Sequence, residues 1–475
     1  MKKAYKKLGA NISLFSISSF GTKIISFILV PLYTNCLSTA EYGTVDMLTT
    51  VVQLLIPIFT LDIADAVIRY SLEKDTNKDA VLKIAFKIIA LGSALLIAIM
   101  YVLSLFNIFK IPFSYYCFLL ACYFFTSIYN TMTNYFKGRD KVVDIVIAGI
   151  LSTTINGVSN IVFLLIMKIG INGYLYANIL GVSVPSVYLL IRAKQHGILH
   201  FNKDVKNDVK LQTEMLKYCM PLIINGLSWW INNYLDKFFV NAICGISANG
   251  LLAVAYKIPS ILAMFQTIFN QAWTMSAVQE FDPQDRDGFL AKTYTYYGCS
   301  MVLVSGLCII FNIQIAKIIY AKDFFIAWRY TGFLVLASLV GAMSICISGV
   351  FNAVKDSKTL GLSTMLGAVV NTLLNLLLIN TSGVLGATLA TFISNIAIWA
   401  MRMLKVREYV KLRINIGRDL LAYIDLVVMC VVGLMDKNMY LLQWILFVIL
   451  LLLYNGELKN IFEIFRTKLD NRNLV

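Results

Sequence analysis

Apolar runs of about twenty residues follow one another along almost the whole chain. A helix needs about 20 mostly apolar residues to cross bilayer hydrocarbon. Windows of that kind fall at 11–33, 44–69, 82–106, 113–136, 142–167, 171–192, 218–243, 248–278, 289–314, 328–353, 359–380, 384–404, 419–435 and 439–455. The pattern predicts an all-α integral membrane protein of about fourteen transmembrane helices. The window at 248–278 is long enough to tilt or overhang, and the longest polar break is 193–214. The first run follows Met1-Lys2-Lys3-Ala4-Tyr5-Lys6-Lys7. It is too long for a signal-peptide core and no small-x-small cleavage site follows it, so a retained first span is expected.

Composition sharpens this reading. Of 475 residues, 59% are hydrophobic and 14% charged, against about 25% charged in soluble proteins. Mean hydropathy is +0.75, so lipid must be the solvent for most of the surface. The nine cysteines are scattered without a Cys-x-x-Cys pair and read as small buried hydrophobes. No Gly-x-x-x-x-Gly-Lys-Ser/Thr and no His-Glu-x-x-His motif occurs, which excludes P-loop and zincin chemistry. The two histidines, His196 and His200, share the polar break. Basic residues are distributed unevenly between alternate loops. Lys110, Lys168, Lys317, Lys322, Arg329 and Lys437 fall on one side, and Lys23, Lys87, Lys237 and Lys257 lie at membrane depth. The rest of the 41 lysines and arginines fall on the side that also holds both termini. By the positive-inside rule that side is cytoplasmic. The net charge of +15 then reflects basic loops facing an anionic leaflet, and no nucleic-acid partner is expected.

The two halves repeat. Phe136, Asn156 and Asn160 recur at one constant offset as Phe351, Asn371 and Asn375; Gly173 and Ala177 recur as Gly386 and Ala390; Tyr42-Gly43 matches Asn249-Gly250. Six spans per repeat is an even number, so the repeats are parallel, as in many secondary transporters. The expected division is an N-lobe at 1–195 (helices 1–6), a C-lobe at 196–410 (helices 7–12), and two additional helices at 411–475.

Polar residues inside spans mark candidate sites, because an ionisable group at the bilayer centre costs at least about 2.5 kcal/mol. Lys23 is the deepest cation of the first span, beside Ser16, Ser19 and Thr22. In the second span Asp62, Asp65 and Arg69 share one helix face at spacings of four and seven. They fit either an interfacial ion pair or a coupling and gating group. In the seventh span Asn225, Trp229, Asn232 and Asp236 form one stripe, with Asn233 and Lys237 beside it. That stripe fits helix–helix adhesion through amides or, preferably, a cavity lining. The eighth span carries Tyr256, Ser260, Thr267, Asn270 and Thr274 on one face, with Lys257 and Gln271 on the next. Its hydroxyls also permit close packing, and Lys257 is long enough to snorkel to an interface. Asp425 is a further carboxylate, in the final pair of spans.

Specific strings carry a resemblance. Leu29-Val30-Pro31-Leu32-Tyr33-Thr34-Asn35, Leu37-Ser38, Glu41-Tyr42-Gly43, Pro57 through Leu61 and Ala66 through Tyr70 resemble the opening of Wzx-type polysaccharide flippases. Trp230, Asp236-Lys237, Ala255 through Ser260 and Gln271-Ala272-Trp273 extend it. These proteins move O-antigen or capsule repeat units and belong to the MATE-like multidrug/oligosaccharidyl-lipid/polysaccharide exporter superfamily. The seventh-span pair is often Asp-Arg in that family; Lys237 keeps the charge without bidentate geometry. The resemblance implies a MATE-like two-lobed bundle in the bacterial cytoplasmic membrane, working by alternating access, with no catalytic residues. It implies a substrate of undecaprenyl-pyrophosphate-linked oligosaccharide carried from inner to outer leaflet, alongside membrane lipids, a polysaccharide polymerase and chain-length machinery. On that reading Lys23, Lys237 and Lys257 meet the pyrophosphate. Asn225, Trp229, Trp230, Asn233, Asn270 and Gln271 meet sugars. Asp62, Asp65, Arg69 and Asp236 couple or gate, with Na⁺ or H⁺ as the coupling ion, and no other cofactor is expected. The rival expectations are a drug or cation antiporter of the same fold, a lipid II flippase, and a membrane polymerase or ligase. The last should carry a large external catalytic loop.

Overall fold

The structure, a computed structural model, describes residues 25–73, 76–106, 111–197, 209–435, 439–460 and 463, without the side chains of residues 225, 271, 272 and 275. Local signals in the sequence set where its helices start. Pro31 sits in the first turn of α1 (Val30–Cys36), where its missing N–H costs nothing. Ser38 opens α2 (Thr39–Thr60) with a capping box: its hydroxyl accepts the Glu41 N–H at 3.2 Å, and the Glu41 carboxylate accepts the Ser38 N–H at 2.8 Å. Asn77 caps α4 (Lys78–Leu105), which follows the short α3 (Ile63–Ser71). The chain continues through α5 (Phe113–Gly138), α6 (Val142–Asn160) with a π-helical extension at Ile161–Ile166, α7 (Gly170–Gln195) and α8 (Val209–Cys244). Next come α9 (Ile246–Ala255), α10 (Pro259–Gln279), α11 (Phe289–Ile310), α12 (Asn312–Ile319) and α13 (Trp328–Ala353). The last are the 50-residue α14 (Ser357–Val406), α15 (Ile416–Met435) and α16 (Tyr440–Leu453). No strand occurs among the described residues.

Seven of the described helices are individually long and apolar enough to cross a membrane, and the bent pair of α9 and α10 makes up to eight. The remaining predicted spans fall on helices too short or too polar to qualify alone, or on residues outside the described set. α14 holds two predicted spans, 359–380 and 384–404, on either side of Gly383 (φ 57°, ψ −136°), a conformation open essentially to glycine alone. The predicted span 248–278 is not one rod. It bends by 50° between α9 and α10, because Pro259 has no N–H to give the preceding turn. The predicted span 44–69 also breaks, at Leu61 and Asp62, both left-handed (φ 53° and 50°).

The chain divides into two compact units, Met1–Tyr234 and Leu235–Val475. In the first, apolar faces of α3, α4, α5, α6, α7 and early α8 meet in a core that includes Val67, Ile89, Met132, Phe136, Leu189 and Met215. A second core joins Val45, Leu96, Phe118, Tyr123 and Leu175. Helices α2 and α4 touch at Gly92, where a Cβ would stand 1.9 Å from the Phe59 carbonyl oxygen. In the second unit α13 is the most buried of the spans. Trp273 of α10 donates its indole N–H to the Cys346 carbonyl of α13 at 2.7 Å. The final pair packs on α11, with the Phe447 ring against Gly306. It is tied together by Arg418, Asp419, Tyr454 and Glu457.

Each unit builds its repeated residues the same way. Phe136 and Phe351 are fully buried. Phe136 accepts from the Lys141 N–H at 3.0 Å, and Phe351 from the Asp356 N–H at 2.9 Å. Asp140 and Lys355, between those partners, are both left-handed (φ 59° and 61°). Asn160 donates to the Asn156 side chain at 3.1 Å, and Asn375 to the Asn371 side chain at 2.8 Å. Matching sequence therefore produces matching turns and matching polar ladders inside both units.

Candidate functional site

In the first unit the candidates cluster where α8 packs on the break between α2 and α3. Gly226 lets the two approach closely: a Cβ would lie 2.9 Å from Asp62 Oδ2 and 3.4 Å from the Pro57 side chain. The Cys219 thiol points at the Asp62 carbonyl from 3.7 Å. Because Leu61 and Asp62 are left-handed, Asp62 is not on the helix that carries Asp65 and Arg69. The expected common face of the three is therefore absent. Arg69 instead pairs with Glu73 at 3.1 Å, one turn on, with both side chains largely in the open. Two consecutive left-handed residues that are not glycine cost about 1–2 kcal/mol each, so strain is stored beside Asp62.

Adjacent tryptophans separate in role. Trp229 is 57% exposed and Trp230 only 7%, since successive helical positions point about 100° apart. Trp230 donates its indole N–H to the Thr50 carbonyl at 3.0 Å and fixes α8 against α2. The expectation that Trp230 meets sugar is corrected: its polar atom is spent within the fold. Asn232 and Asn233 each donate to the carbonyl four residues earlier, at 2.9 and 2.7 Å. That leaves their amide oxygens as acceptors on a helix face that also carries Trp229. Lys23 lies outside the described residues, and so do the side chains of Asn225 and Gln271.

In the second unit Asp236 is 5% exposed and accepts the Tyr256 hydroxyl at 2.6 Å, a length typical of a charge-assisted bond. Lys237 is 9% exposed, so this conformation holds its ammonium inside. Tyr256 reaches Asp236 because the turn ahead of Pro259 swings it toward the end of α8. Lys257, next in that turn, is half-buried and forms no ion pair among the described residues. Beyond it, α10 lines a recess of about 400 Å³ with Ala263, Gln266, Thr267, Asn270 and Thr274, opposite Ile345 of α13. Thr267 and Thr274 give their protons to the Ala263 and Asn270 carbonyls (2.7 and 2.9 Å), so the hydroxyl oxygens remain as acceptors. No charged side chain lines this recess among the described residues.

Two clusters escape a reading by spacing. Asp144, 4% exposed, gathers Arg192 Nε at 2.8 Å, His196 Nε2 at 3.0 Å and the Tyr188 hydroxyl at 3.3 Å. It lashes the start of the 193–214 segment to α6 and gives His196 a carboxylate that its sequence neighbours lack. Arg402, 8% exposed, is held by hydroxyls of α13 and α14. It lies so near a span end that a count of loop charges absorbs it. No group of three or more His, Cys, Asp or Glu residues positioned for a metal occurs among the described residues.

Helical units with matching internal ladders, built from long apolar spans, define a polytopic membrane protein with a known fold. The fold is that of the lipid II flippase MurJ in an inward closed conformation (TM-score 0.69, 15% identity, 93% of this chain and 98% of that one). It is also that of an inward-facing multidrug resistance MATE family transporter of the MOP superfamily (TM-score 0.60, 14% identity, 82% and 95%). The chain belongs to the family described as "Polysaccharide biosynthesis protein", whose profile matches residues 8–275. An uncharacterised membrane protein of Methanocaldococcus jannaschii is 24% identical over 272 residues, 53% of this chain and 62% of that protein. The match thus spans less than two thirds of that relative's length.

Proposed function

We propose that this protein is a Wzx-type flippase that carries undecaprenyl-pyrophosphate-linked oligosaccharide repeat units from the inner to the outer leaflet of the bacterial cytoplasmic membrane by alternating access. The observation that carries the reading is α10. Its recess, lined among the described residues by uncharged amides and hydroxyls, suits sugar, and Lys257, in the turn just before α10, offers a cation to a diphosphate joined to that sugar. Nearly all of α10 falls within the stretch matched by the polysaccharide biosynthesis family. In this reading Lys257 and Lys237 receive the pyrophosphate, with Lys23 as a third cation. Trp229, Asn233 and Asn270 receive sugars, together with Asn225 and Gln271. Asp62 and Asp236 serve coupling to Na⁺ or H⁺. The lipid tail stays in the bilayer, so only the headgroup needs shelter from hydrocarbon. Basic loops hold both termini on the cytoplasmic side, and a polysaccharide polymerase with chain-length machinery takes the product.

The test is transport of a fluorescent undecaprenyl-pyrophosphate oligosaccharide in proteoliposomes. Accumulation in the outer leaflet that depends on the protein, and falls with Lys257→Ala, is expected. Leaflet exchange no faster than in empty vesicles would overturn the reading. Collapsing the Na⁺ and proton gradients checks coupling, because undiminished transport removes Asp62 and Asp236 from that role. A second reading, lipid II transport, is favoured by the MurJ likeness over 93% of the chain. Supplying lipid II alone to the same vesicles separates the two.

A further inference from the structure

The guanidinium of Arg402 is buried without a counter-charge. Its Nε donates to Ser363 Oγ at 2.8 Å; Nη1 donates to Ser344 Oγ at 3.1 Å, the Ser344 carbonyl at 3.3 Å and Ser348 Oγ at 2.8 Å; Nη2 donates to Thr364 Oγ1 at 3.1 Å. Every acceptor is neutral, and no carboxylate among the described residues pairs with it. Burying a cation in this way carries a large desolvation cost.

The internal repeat makes plain that packing does not require it. At the offsets set by Phe136/Phe351 and Gly173/Gly386, Arg402 corresponds to Leu189, Ser363 to Ala148 and Ser344 to Tyr129. In the first unit Leu189 and Ala148 are fully buried in one apolar core, with Tyr129 packed against it. The same junction is thus filled in one unit by uncharged side chains, Leu189 and Ala148 with the hydroxyl-bearing Tyr129 and, at the position of Ser348, Thr133, and in the other by a caged cation.

The cation has a direction. Ser344 and Ser348, which hold it, flank Ile345 on α13, and Ile345 walls the recess of α10. Helical positions turn about 100° per residue, so the two serines point about 60–100° away from Ile345, and the charge stands to the side of that wall, on the order of 10 Å from the space. Bonds to neutral hydroxyls leave its field uncancelled, and burial keeps salt from screening it. Among the described residues the recess is lined only by neutral groups, so the Arg402 charge makes it more electropositive.

We propose that Arg402 is a positioning residue that makes this recess selective for an anionic headgroup, either the diphosphate of a lipid-linked glycan or the carboxylate of an acidic sugar. The proposal rests on the flippase reading only for the diphosphate. The test measures binding of undecaprenyl pyrophosphate, undecaprenol, octyl glucuronide and octyl glucoside to the full-length protein in nanodiscs, at low and high salt. Arg402→Leu restores the residue of the sister repeat and is expected to fold. It should weaken the singly charged glucuronide about tenfold and the diphosphate, with at least two charges, about a hundredfold, the Coulomb energies at about 10 Å and an effective dielectric near 20, leave the neutral partners unchanged, and show little salt dependence. Arg402→Lys should keep most of the preference. Loss confined to undecaprenyl pyrophosphate identifies the diphosphate, and loss confined to the glucuronide identifies an acidic sugar. Equal loss for charged and neutral ligands, or no loss, overturns the proposal. If Arg402→Leu does not fold, Arg402→Gln, which can still bond to the hydroxyls, provides the same comparison. Undecaprenyl lipids that fail to bind even the wild-type protein count against the flippase reading, while a charge preference among the glucosides still stands or falls with Arg402.

Discussion

Removing the Tyr256 hydroxyl isolates the contact that joins the end of α8 to the turn before α10. The phenol donates to Asp236 at 2.6 Å, and Asp236 is 5% exposed, so water cannot replace the lost donor. A hydrogen bond to a charged group contributes about 1.5–3 kcal/mol, and Asp236 keeps the Lys237 N–H at 2.9 Å when the phenol is lost. Tyr256→Phe preserves the ring and should lower stability by that amount. For a unit the size of residues 235–475 this lowers Tm by about 3–12 °C, at about 2–4 °C per kcal/mol. The assay is thermal unfolding of the detergent-purified protein, followed by loss of the monodisperse peak. Asp236→Asn, which still accepts the phenol, should lose less stability than Tyr256→Phe, and the double variant should show non-additivity of at least about 0.5 kcal/mol. A Tm for Tyr256→Phe within one degree of wild type, or strict additivity, would mean that the bond does not hold the turn and that the bend rests on Pro259 alone.

Three further substitutions probe the fold around the site. Trp230→Phe removes the bond to the Thr50 carbonyl and should cost about 1–2 kcal/mol, whereas Trp229→Phe should leave Tm unchanged and weaken glycan binding; the reverse order in melting curves refutes the assigned roles. Gly383→Ala places a Cβ at φ 57°, ψ −136°, at a cost of about 1–3 kcal/mol, and a variant as stable as wild type would show that α14 can straighten there. Asp144→Ala releases Arg192 and His196 from α6, so trypsin should cleave after Lys194 faster than in wild type. Unaltered cleavage would show that the segment is held by other contacts.

Helix positions were legible in the sequence because transfer into lipid depends on local composition. The repeat was legible because it rests on residues that cap turns and form ladders, such as Phe136, Asn156 and Asn160. The stripe on the eighth span was legible in part: Thr267, Asn270 and Thr274 line one recess, whereas Tyr256 lies before the bend and bonds to Asp236. Trp230, assigned to sugar only through the resemblance, turned out to be 7% exposed and bonded to the Thr50 carbonyl, because sequence does not say what stands opposite a helix position. The Asp62, Asp65 and Arg69 face was misread because nothing in the residue types announces two left-handed positions in a row.

The amino-acid sequence by itself decided that this chain lives in lipid, that it is helical throughout, and that its halves are related, since each of these follows from interactions within about twenty neighbouring residues. Only the tertiary structure decided which polar atoms are spent on the fold and which face open space. Arg402 is the plainest case: its acceptors, residues 344, 348, 363 and 364, lie 38 to 58 positions before it along the chain. A buried charge acquires its meaning from what surrounds it in space.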